Sequence, residues 1–531
     1  MTTAEKLSRS RIDGFLCAKG REIVNGNGEP ILLSGWGLGN WLLCEGYMWK
    51  AGSRADRPRR IEEAVQELAG SEYAKTFWPR FRKNYIRRED ILRMAELGYN
   101  SLRLPIGWRV LMEDEPGIHW REEGFQLIDD LLDWCEEAGI YVFLDLHGAP
   151  GGQTGANIDD CVDDFPRLFT DQDSWDKAIA LWGELARRYQ GRWIVGGYDL
   201  LNEPLRPDDG RKPCQYLLPK LRDFYVAAIA EIRKYDQRHM LSIEGSSWST
   251  DPAVFCQDYD DNMVIHFHRY AVLPDVGAYR EWLELSERWN KPLWLGESGE
   301  NTPEWFAALY PLAAKLGIGY NVWPWKKMDC TNSPYSVRAP KHWEKFTTYT
   351  GGGERPSYEE AQAMLDEYLE NMLLENCVEN PAVNASVRRE PGCTLMAVDF
   401  DEGGCRGLSN TQALSGYRKG SKMEIIEPES IPEKRFGFDC CWDAFSLALS
   451  PEEYAEYTFY NVTAESTVSI EFAAGSSGRV ELLQDGESLG EIEAAGTSRE
   501  ITLSLAAQTC LRVRCSAGRP ILKRISCQER K

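Results

Sequence analysis

The stretch FQLIDDLLDWCEEAGIYVFLDLH (residues 125–147) contains a helical pattern followed directly by a strand pattern. Apolar residues recur every three or four positions up to Gly139, which is typical of an amphipathic helix that ends at a glycine. The apolar run at 140–147 is short, as expected for a buried strand. The segment REDILRMAELGYNSLRLPI (88–106) repeats the same order. A chain built from such pairs favours a parallel sheet covered by helices.

Apolar strand candidates alternate with helical patterns over most of the first 325 residues. The candidates are 31–36, 100–106, 140–147, 198–203, 239–245, 263–270, 292–297 and 318–325. Eight strands that are each followed by a helix predict a (β/α)8 TIM barrel, in the α/β class. We expect a hairpin at 14–33 before the barrel, with NGNGEP as its turn, and an insertion at 45–88 over one face.

The character of the sequence changes after the barrel pattern ends. A helix near 356–374 is expected to close the barrel, and residues 375–392 are rich in Asn and Pro, as in a linker. Short alternating strands with turn residues between them follow, which is the pattern of an all-β sandwich. We therefore expect a barrel at 1–374, a linker at 375–392 and a C-terminal β-sandwich at 393–531.

Charge and cysteine content restrict the partners and the compartment. The 531 residues carry a formal net charge of −22, which disfavours nucleic acid or an anionic membrane as a partner. The segment MTTAEKLSRSRIDGF (1–15) has no apolar stretch of signal-peptide length, and no run in the chain is long enough to insert in a membrane. The 15 cysteines are odd in number and scattered. We expect a cytoplasmic protein with reduced thiols and a neutral ligand. The oligomeric state is not predicted.

Polar and charged residues recur near the carboxyl ends of the predicted strands. Glu203 ends the fourth strand and Glu297 ends the seventh, so both should project into one central cleft. Two carboxylates in such a cleft suit glycoside hydrolysis, in which one acts as acid and base and the other as nucleophile. Arg103 is the arginine at an inward strand end and is a candidate donor to the nucleophile. The alternatives are two unrelated surface glutamates and a structural ion pair at Arg103.

Several motifs together resemble family 5 glycoside hydrolases of clan A. YDLLNEP (198–204) and PLWLGESGE (292–300) are similar to the acid/base and nucleophile strands of that family. LRLPIGW (102–108), FLDLHGAPGGQTG (143–155), HFHRY (266–270) and NVWPWK (321–326) follow in the family's order. GNWLLCEGYMW (39–49) and the segment 76–108 resemble the exo-β-1,3-glucanase type in particular. The resemblance covers roughly residues 14–370.

The resemblance implies a role for each matching residue. Glu203 would be the acid/base and Glu297 the nucleophile of a retaining β-glycosidase. The residues that would bind the substrate are Glu45, Arg103, His147, Asn202, His268, Tyr270 and Trp323, with Trp325 as a second register for the aromatic platform. No cofactor and no metal are implied, and the partner is a carbohydrate substrate.

Other functions remain open at this stage. The substrate would be a β-glucoside or a short β-glucan oligosaccharide cleaved from its end, but another sugar, a hydrophobic aglycone or an endo-acting β-glucanase also fits. His266 and His268 alternate along a strand and could form a metal pair, although further ligands are not evident in the sequence. The non-enzyme alternative is a catalytically silent sugar-binding protein.

The C-terminal region resembles family 6/35-type carbohydrate-binding sandwiches over about residues 393–527. If it binds sugar, Tyr417 and Trp442 are candidate platforms. The alternative is a structural sandwich that packs on the barrel and supports its cleft.

Overall fold

The computed structural model describes residues 12–498 and 500–529. The predicted outer boundaries at residues 1 and 531, and most of the N-terminal stretch used to infer the compartment, lie outside these residues. A small hairpin comes first, with β1 at Cys17–Lys19 and β2 at Glu22–Val24. Its turn is at Gly20 and Arg21, and the predicted turn at NGNGEP follows, where Val24 forms an antiparallel bridge to Pro30. NGNGEP makes a second turn, in which the Asn25 amide donates to the Glu29 carbonyl at 2.9 Å.

A closed parallel barrel follows the hairpin, which confirms the predicted (β/α)8 class. Its strands are β3 (Ser34–Gly37), β4 (Ser101–Gly107), β5 (Tyr141–Gly148), β6 (Val195–Asp199), β7 (Met240–Glu244), β8 (Met263–Arg269), β9 (Leu293–Gly299) and β10 (Gly319–Trp323). β10 pairs in parallel with β3, with Tyr320 opposite Ser34, and this pairing closes the barrel. All carboxyl ends of the strands therefore meet at one face.

Helices surround the barrel, and the first two in chain order lie in the predicted insertion at 45–88. They are α1 (Pro58–Ala69), α2 (Ser71–Tyr85), α3 (Arg88–Glu96), α4 (Trp108–Leu111), α5 (Glu122–Ala138), α6 (Gln172–Tyr189), α7 (Leu218–Tyr235), α8 (Arg280–Trp289), α9 (Pro303–Lys315), α10 (Trp343–Thr350) and α11 (Tyr358–Asn371). α11 begins with a capping box, in which Ser357 and Glu360 exchange hydrogen bonds between side chain and backbone. The insertion is fixed by Trp49, whose ring packs among Phe81, Trp343 and Tyr368.

The fourth barrel strand ends earlier than the sequence indicates. β6 stops at Asp199, so Asn202 and Glu203 lie in the loop beyond the strand. Glu203 has a φ of 43°, in the left-handed region that a non-glycine residue rarely adopts. The backbone N–H of Glu203 donates to the Glu244 Oε2 atom at 2.7 Å, and this bond helps to hold the unusual conformation.

The segment between the barrel and the C-terminal sheets is folded. β11 (Lys326–Met328) and β12 (Tyr335–Val337) pair with each other, and β13 (Val378–Glu379) pairs with β12. Residues 375–392, predicted as a linker, contain β13 and helix α12 (Pro381–Arg388), and α12 packs on α9. The division of the chain at residues 374 and 393 stays a prediction.

Two antiparallel sheets form the C-terminal region. Their strands are β14 (Cys393–Met396), β15 (Cys405–Arg406), β16 (Glu424–Ile426), β17 (Ser446–Ala448), β18 (Tyr454–Val462), β19 (Ser466–Phe472), β20 (Ser477–Gln484), β21 (Glu487–Glu493), β22 (Ile501–Thr502), β23 (Ala506–Arg519) and β24 (Ile521–Glu529). β14, β16, β17, β24, β19 and β22 make one sheet, and β15, β18, β23, β20 and β21 make the other.

The C-terminal region packs on helix α9 of the barrel. This helix contacts both α12 and β14. Arg389 reaches it through a hydrogen bond from Nε to the Ala307 carbonyl at 2.7 Å. Residues 305–310 and 312–314 of α9 are all buried. A helix that is apolar around its whole surface is buried between layers, and here those layers are the barrel and the C-terminal region.

The structure buries the two aromatic residues proposed as sugar platforms in this region. Tyr417 is 1% exposed and Trp442 is fully buried. The Tyr417 hydroxyl and the Trp442 Nε1 atom both donate to the carboxylate of Asp399. The prediction that they present flat faces to a sugar is therefore wrong, because both rings belong to the core of the sheets.

Among the described residues, no helix is both long and apolar enough to cross a membrane.

Candidate active site

Arg103 lies at the centre of a cluster of carboxylates inside the barrel mouth. Its side chain is fully buried on β4. It contacts Asp199 at 2.8 Å, Glu297 at 2.6 Å, Glu244 at 2.9 Å and Asp145 at 3.1 Å. Burying a charge is costly unless it is paired, and here one cation is shared by four acids. Not all four acids can be ionised without leaving uncompensated negative charge in a dry site.

The acids around Arg103 differ in pKa. Burial raises the pKa of Asp145 and of Glu244 well above the usual range, and the guanidinium only partly offsets this. Burial also acts to raise the pKa of Asp199, but the His266 ring and Arg103 outweigh it and hold that pKa below its usual range. Asp199 is therefore the acid of this cluster that is most firmly ionised.

Glu297 is held by two strong donors. Arg103 donates from Nη1 to Oε2 at 2.6 Å, and the Tyr270 hydroxyl donates to Oε1 at 2.6 Å. Burial raises the pKa of Glu297, while Arg103, His147 and the Tyr270 hydrogen bond act to lower it. Both donors favour the ionised form, since a carboxylate is an acceptor only.

Glu203 faces Glu297 across a short gap. A carboxylate oxygen of each residue and a ring nitrogen of His268 all lie within 4.8 Å of one another. Burial raises the pKa of Glu203 well above its usual range, and the negative charge of Glu297 raises it further. A proton shared by this pair therefore resides on Glu203, and Glu297 carries the charge.

Two histidines connect Glu203 to Asp199 through hydrogen bonds. His266 Nδ1 is 3.1 Å from Asp199 Oδ1, His266 Nε2 is 3.1 Å from His268 Nε2, and His268 Nδ1 is 2.8 Å from Glu203 Oε1. Burial lowers the pKa of both rings, so both are neutral. A neutral imidazole has one donor and one acceptor nitrogen.

Ser242 Oγ also lies 2.9 Å from His266 Nδ1 and can accept from it, so one order of protons satisfies all of these contacts. The ionised Asp199 only accepts, so His266 carries its hydrogen on Nδ1 and presents a lone pair at Nε2. His268 must then donate from Nε2 and present a lone pair at Nδ1. That lone pair needs a donor, and the group facing it is Glu203 Oε1. The hydrogen-bond order thus also requires a protonated Glu203.

Asn202 and His147 form a second group of hydrogen-bonded side chains next to Arg103. Asn202 Oδ1 accepts from Arg103 Nη2 at 2.8 Å, and its amide nitrogen lies 3.3 Å from His147 Nε2. His147 Nδ1 is 2.8 Å from Asp145 Oδ2, so Nδ1 carries the hydrogen and Nε2 accepts. Burial, with Arg103 nearby, lowers the pKa of His147 to about 3. Because an amide nitrogen has two hydrogens, one N–H of Asn202 is left for a ligand.

Trp323 and Glu45 border the cleft on the side of β10 and β3. The Trp323 ring is parallel to the His147 ring, with centroids 5.4 Å apart, and its Nε1 donates to the Tyr47 hydroxyl at 2.9 Å. Glu45 is 6% exposed, and its Oε1 has no hydrogen-bond partner among the described residues. Burial and the charges of Glu297 and Glu300 raise the pKa of Glu45.

Trp325, the second register for the platform, lies outside the cleft. It is fully buried, and its Nε1 donates to Asp90 at 2.9 Å. Every other residue predicted for the site, including Glu45, lies at the barrel mouth.

Sequence reasoning missed Asp145, Asp199 and Glu244. Asp145 lies two residues before His147 on β5, so strand periodicity places both side chains on the same face. The same periodicity could have identified Asp145. Lys327 and Glu300, which form an ion pair near Glu45, were also missed.

Three groups of acids and histidines are close enough to contact a single cation. They are Glu244–His266–His268, Glu203–His268–Glu297 and Asp145–Asp199–Glu244. Arg103 already supplies the positive charge to the third group. In the first, the contact between the two histidines is occupied by the proton that His268 donates. The absence of a catalytic metal stays a prediction.

These features define a glycoside hydrolase: a TIM barrel whose mouth holds one protonated and one ionised carboxylate within 4.8 Å. The sequence profile of Cellulase (glycosyl hydrolase family 5) matches residues 62–329. The chain belongs to glycosyl hydrolase family 5.

Known relatives of the chain have different printed activities. A β-xylosidase of Phanerodontia chrysosporium is 29% identical over 296 residues, which cover 55% of this chain and 59% of the relative. A glucan 1,3-β-glucosidase of Candida oleophila is 29% identical over 219 residues, which cover 38% and 48%. The chain thus spans less than two thirds of the length of both relatives.

The solved structure of an endogalactoceramidase is similar along most of the chain. It is 18% identical, covers 92% of this chain and 100% of its own, and has a TM-score of 0.47.

Proposed function

We propose that the protein is a retaining β-glycosidase that removes sugar units from the ends of β-glucosides or short β-glucan oligosaccharides. The observation that carries the proposal is the short distance between Glu203 and Glu297, with oxygens within 4.8 Å. Retaining enzymes place their two carboxyl groups about 5–5.5 Å apart, whereas inverting enzymes need roughly 6.5–9.5 Å to admit a water molecule.

Glu297 is the nucleophile in this proposal. Its Oε2 is bound by Arg103, so Oε1 is the atom that attacks the anomeric carbon. The Tyr270 hydroxyl donates to that same Oε1. As the glycosyl–enzyme bond forms, Oε1 loses its negative charge and the Tyr270 bond weakens. The hydroxyl is then positioned to interact with the ring oxygen of the sugar, where positive charge develops.

Glu203 acts first as the acid and then as the base. It begins protonated, since burial and the Glu297 charge raise its pKa and the His268 lone pair faces its hydrogen. It donates that proton to the leaving oxygen. Glu297 is by then bound to the sugar and uncharged, so the pKa of Glu203 falls. Glu203 can now accept a proton from the water that releases the glycosyl–enzyme.

The other predicted residues bind the sugar. Asn202 has one N–H left to donate to a hydroxyl next to the anomeric carbon. Trp323 offers an aromatic face under the ring. Glu45 offers a buried acceptor, and such a group costs free energy unless a ligand hydroxyl satisfies it.

The wall near Glu45 supports action at chain ends. Tyr47 accepts the Trp323 hydrogen bond, and Lys327 lies 5.7 Å from the Tyr47 ring centroid while pairing with Glu300. In this proposal the group limits the cleft to a single sugar on that side. An endo-acting enzyme would need an open path there. The cytoplasmic location and the supporting role of the C-terminal sheets are parts of the same proposal.

The decisive measurement is the anomeric configuration of the first-formed product, followed by proton NMR on an aryl β-glucoside. Retention is expected, and net inversion would refute the mechanism. Glu297→Gln should abolish turnover, while Glu287→Gln, an exposed residue on α8, should not change it. A panel of aryl glycosides (gluco, xylo, manno, galacto, fuco, rutinosyl) tests the sugar. Activity on a non-gluco sugar alone would overturn the substrate and leave the mechanism intact.

A further inference from the structure

A loop of the C-terminal region reaches the rim of the active-site cleft. The Phe438 ring stacks on the Tyr270 ring, with centroids 4.8 Å apart and planes 29° from parallel. The Tyr270 hydroxyl in turn donates to Glu297 Oε1 at 2.6 Å. Phe438 is more than 130 positions from Glu297 in sequence, but in space only the Tyr270 side chain separates the two residues.

The position of Phe438 is fixed from both sides. The Asn301 side chain, two residues beyond the end of β9, donates to the Phe438 carbonyl at 2.9 Å. Within the loop, Arg435 Nε donates to Asp439 Oδ2 at 2.7 Å, and Asp439 Oδ1 accepts from the Cys441 amide at 2.9 Å. Side chains held by such contacts bind ligands without a large ordering cost.

Phe438 lies on the side of the cleft where the leaving group departs. Trp323 ends β10 and Glu45 follows β3, so the sugar occupies that side. Glu203 follows β6, which lies opposite β10 in the barrel order, and the leaving oxygen must face it. Tyr270 follows β8, midway between β6 and β10 in the barrel order, but His268 of β8 lies 2.8 Å from Glu203. The Tyr270 ring, which carries Phe438, therefore follows the strand that contacts the acid/base.

The rim at this position is apolar. Ala271, next to Tyr270, is exposed, whereas Val272 and Leu273 line a separate cavity together with Asp275 and Arg418. Phe438 is 37% exposed. A phenyl ring can pack on the C–H face of a sugar, as proposed for Trp323, but it leaves the hydroxyls without a hydrogen-bond partner. An aryl or alkyl group packs on the same ring without that cost. The chemistry of this rim therefore favours an apolar leaving group over a second sugar.

We propose that Phe438 and Tyr270 together form the aglycone-binding platform, and that the natural substrate is a β-glycoside with an aryl or alkyl aglycone. The inference rests on the proposed glycosidase function. It adds the chemical class of the leaving group, which the catalytic pair does not specify. It also assigns the C-terminal region a direct part in substrate binding.

The test compares substrates that share one sugar and differ in the leaving group: the glycosyl fluoride, the phenyl glycoside, the octyl glycoside and the disaccharide. Phe438→Ala should lower kcat/KM for the phenyl and octyl glycosides by roughly 3- to 12-fold, the size expected for one aromatic contact. The fluoride should be unaffected, because fluoride is too small to reach the platform. Phe438→Trp should restore the phenyl glycoside. Leu414→Ala, at a residue 99% exposed in the same region, is the matched control and should change nothing.

Three results would contradict the proposal. An equal loss on the fluoride and the phenyl glycoside would mean that Phe438 only supports Tyr270. A larger loss on the disaccharide than on the octyl glycoside would make the platform a sugar subsite. A wild-type protein that is inactive on the entire series, including the fluoride, would overturn the proposed glycosidase itself, and this outcome differs from the first two.

Discussion

The hydrogen-bond chain from Asp199 to Glu203 can be reversed by one isosteric substitution, Asp199→Asn. Asp199 Oδ2 accepts from Arg103 Nε at 2.8 Å, and Oδ1 faces His266 Nδ1 at 3.1 Å. Because Arg103 can only donate, the amide oxygen of the new asparagine must face it. The amide nitrogen then faces His266 and donates to Nδ1.

This substitution changes which nitrogen carries the hydrogen on both His266 and His268. His266 moves its hydrogen to Nε2 and donates to His268, and His268 moves its hydrogen to Nδ1 and donates to Glu203. A donor facing Glu203 favours the ionised carboxylate, whereas the wild-type lone pair favours the protonated acid. A hydrogen bond to a charged group contributes about 1.5–3 kcal/mol. At about 1.4 kcal/mol for each pKa unit, we expect the pKa of Glu203 to fall by about 1–2 units.

The assay is the pH dependence of kcat/KM on an aryl glycoside whose leaving group needs a proton. Its alkaline limb reports loss of the proton from Glu203, so Asp199→Asn should move that limb to lower pH by the same about 1–2 units. The glycosyl fluoride, which needs no proton, should show no such shift. Asp236→Asn is the matched control, since Asp236 pairs with His239 away from the cleft. An unmoved alkaline limb with a pH-independent loss of rate would refute the assigned proton order.

Two further predictions follow from buried carboxyl groups. Glu203→Gln removes the acid, so kcat/KM on a disaccharide should fall by about 10²- to 10⁴-fold while the glycosyl fluoride is largely spared; an equal loss on both, measured by initial rates, would contradict its role. Burial raises the pKa of Asp399 in the C-terminal core to about 6, above that of the unfolded chain. Its stabilising contribution is therefore complete below about pH 4 and is lost as the pH rises through about 6. Asp399→Asn should abolish this dependence and raise the free energy of unfolding near neutral pH by about 2–3 kcal/mol in urea titrations, and an unchanged pH profile of stability would contradict the argument.

The barrel and the two catalytic candidates were predictable because their signals are local. Each strand is a short apolar run between a helix and a loop, and Glu203 and Glu297 follow such runs directly. The strand ends were less accurate. Sequence placed Glu203 on a strand, yet β6 stops at Asp199 and the glutamate lies in a left-handed turn held by Glu244.

What could not be predicted depends on contacts between distant segments. Glu244 is an unremarkable strand residue until Arg103 is placed beside it. Phe438 belongs to a C-terminal loop, and nothing near it in sequence indicates a neighbour at Tyr270. Tyr417 and Trp442 were misassigned for a different reason, which concerns residue type. Aromatic residues in a sheet are as suitable for a core as for a binding face, and only the position of Asp399 distinguishes the two.

Helix α9 has a consequence for family members that lack C-terminal sheets. In this chain the helix can be apolar on all sides, because a second layer covers the face that would otherwise contact water. A barrel that ends without such a layer must place charged or polar residues on that face to avoid aggregation. The composition of this one helix should therefore indicate, from sequence alone, which barrels carry a second layer on that face.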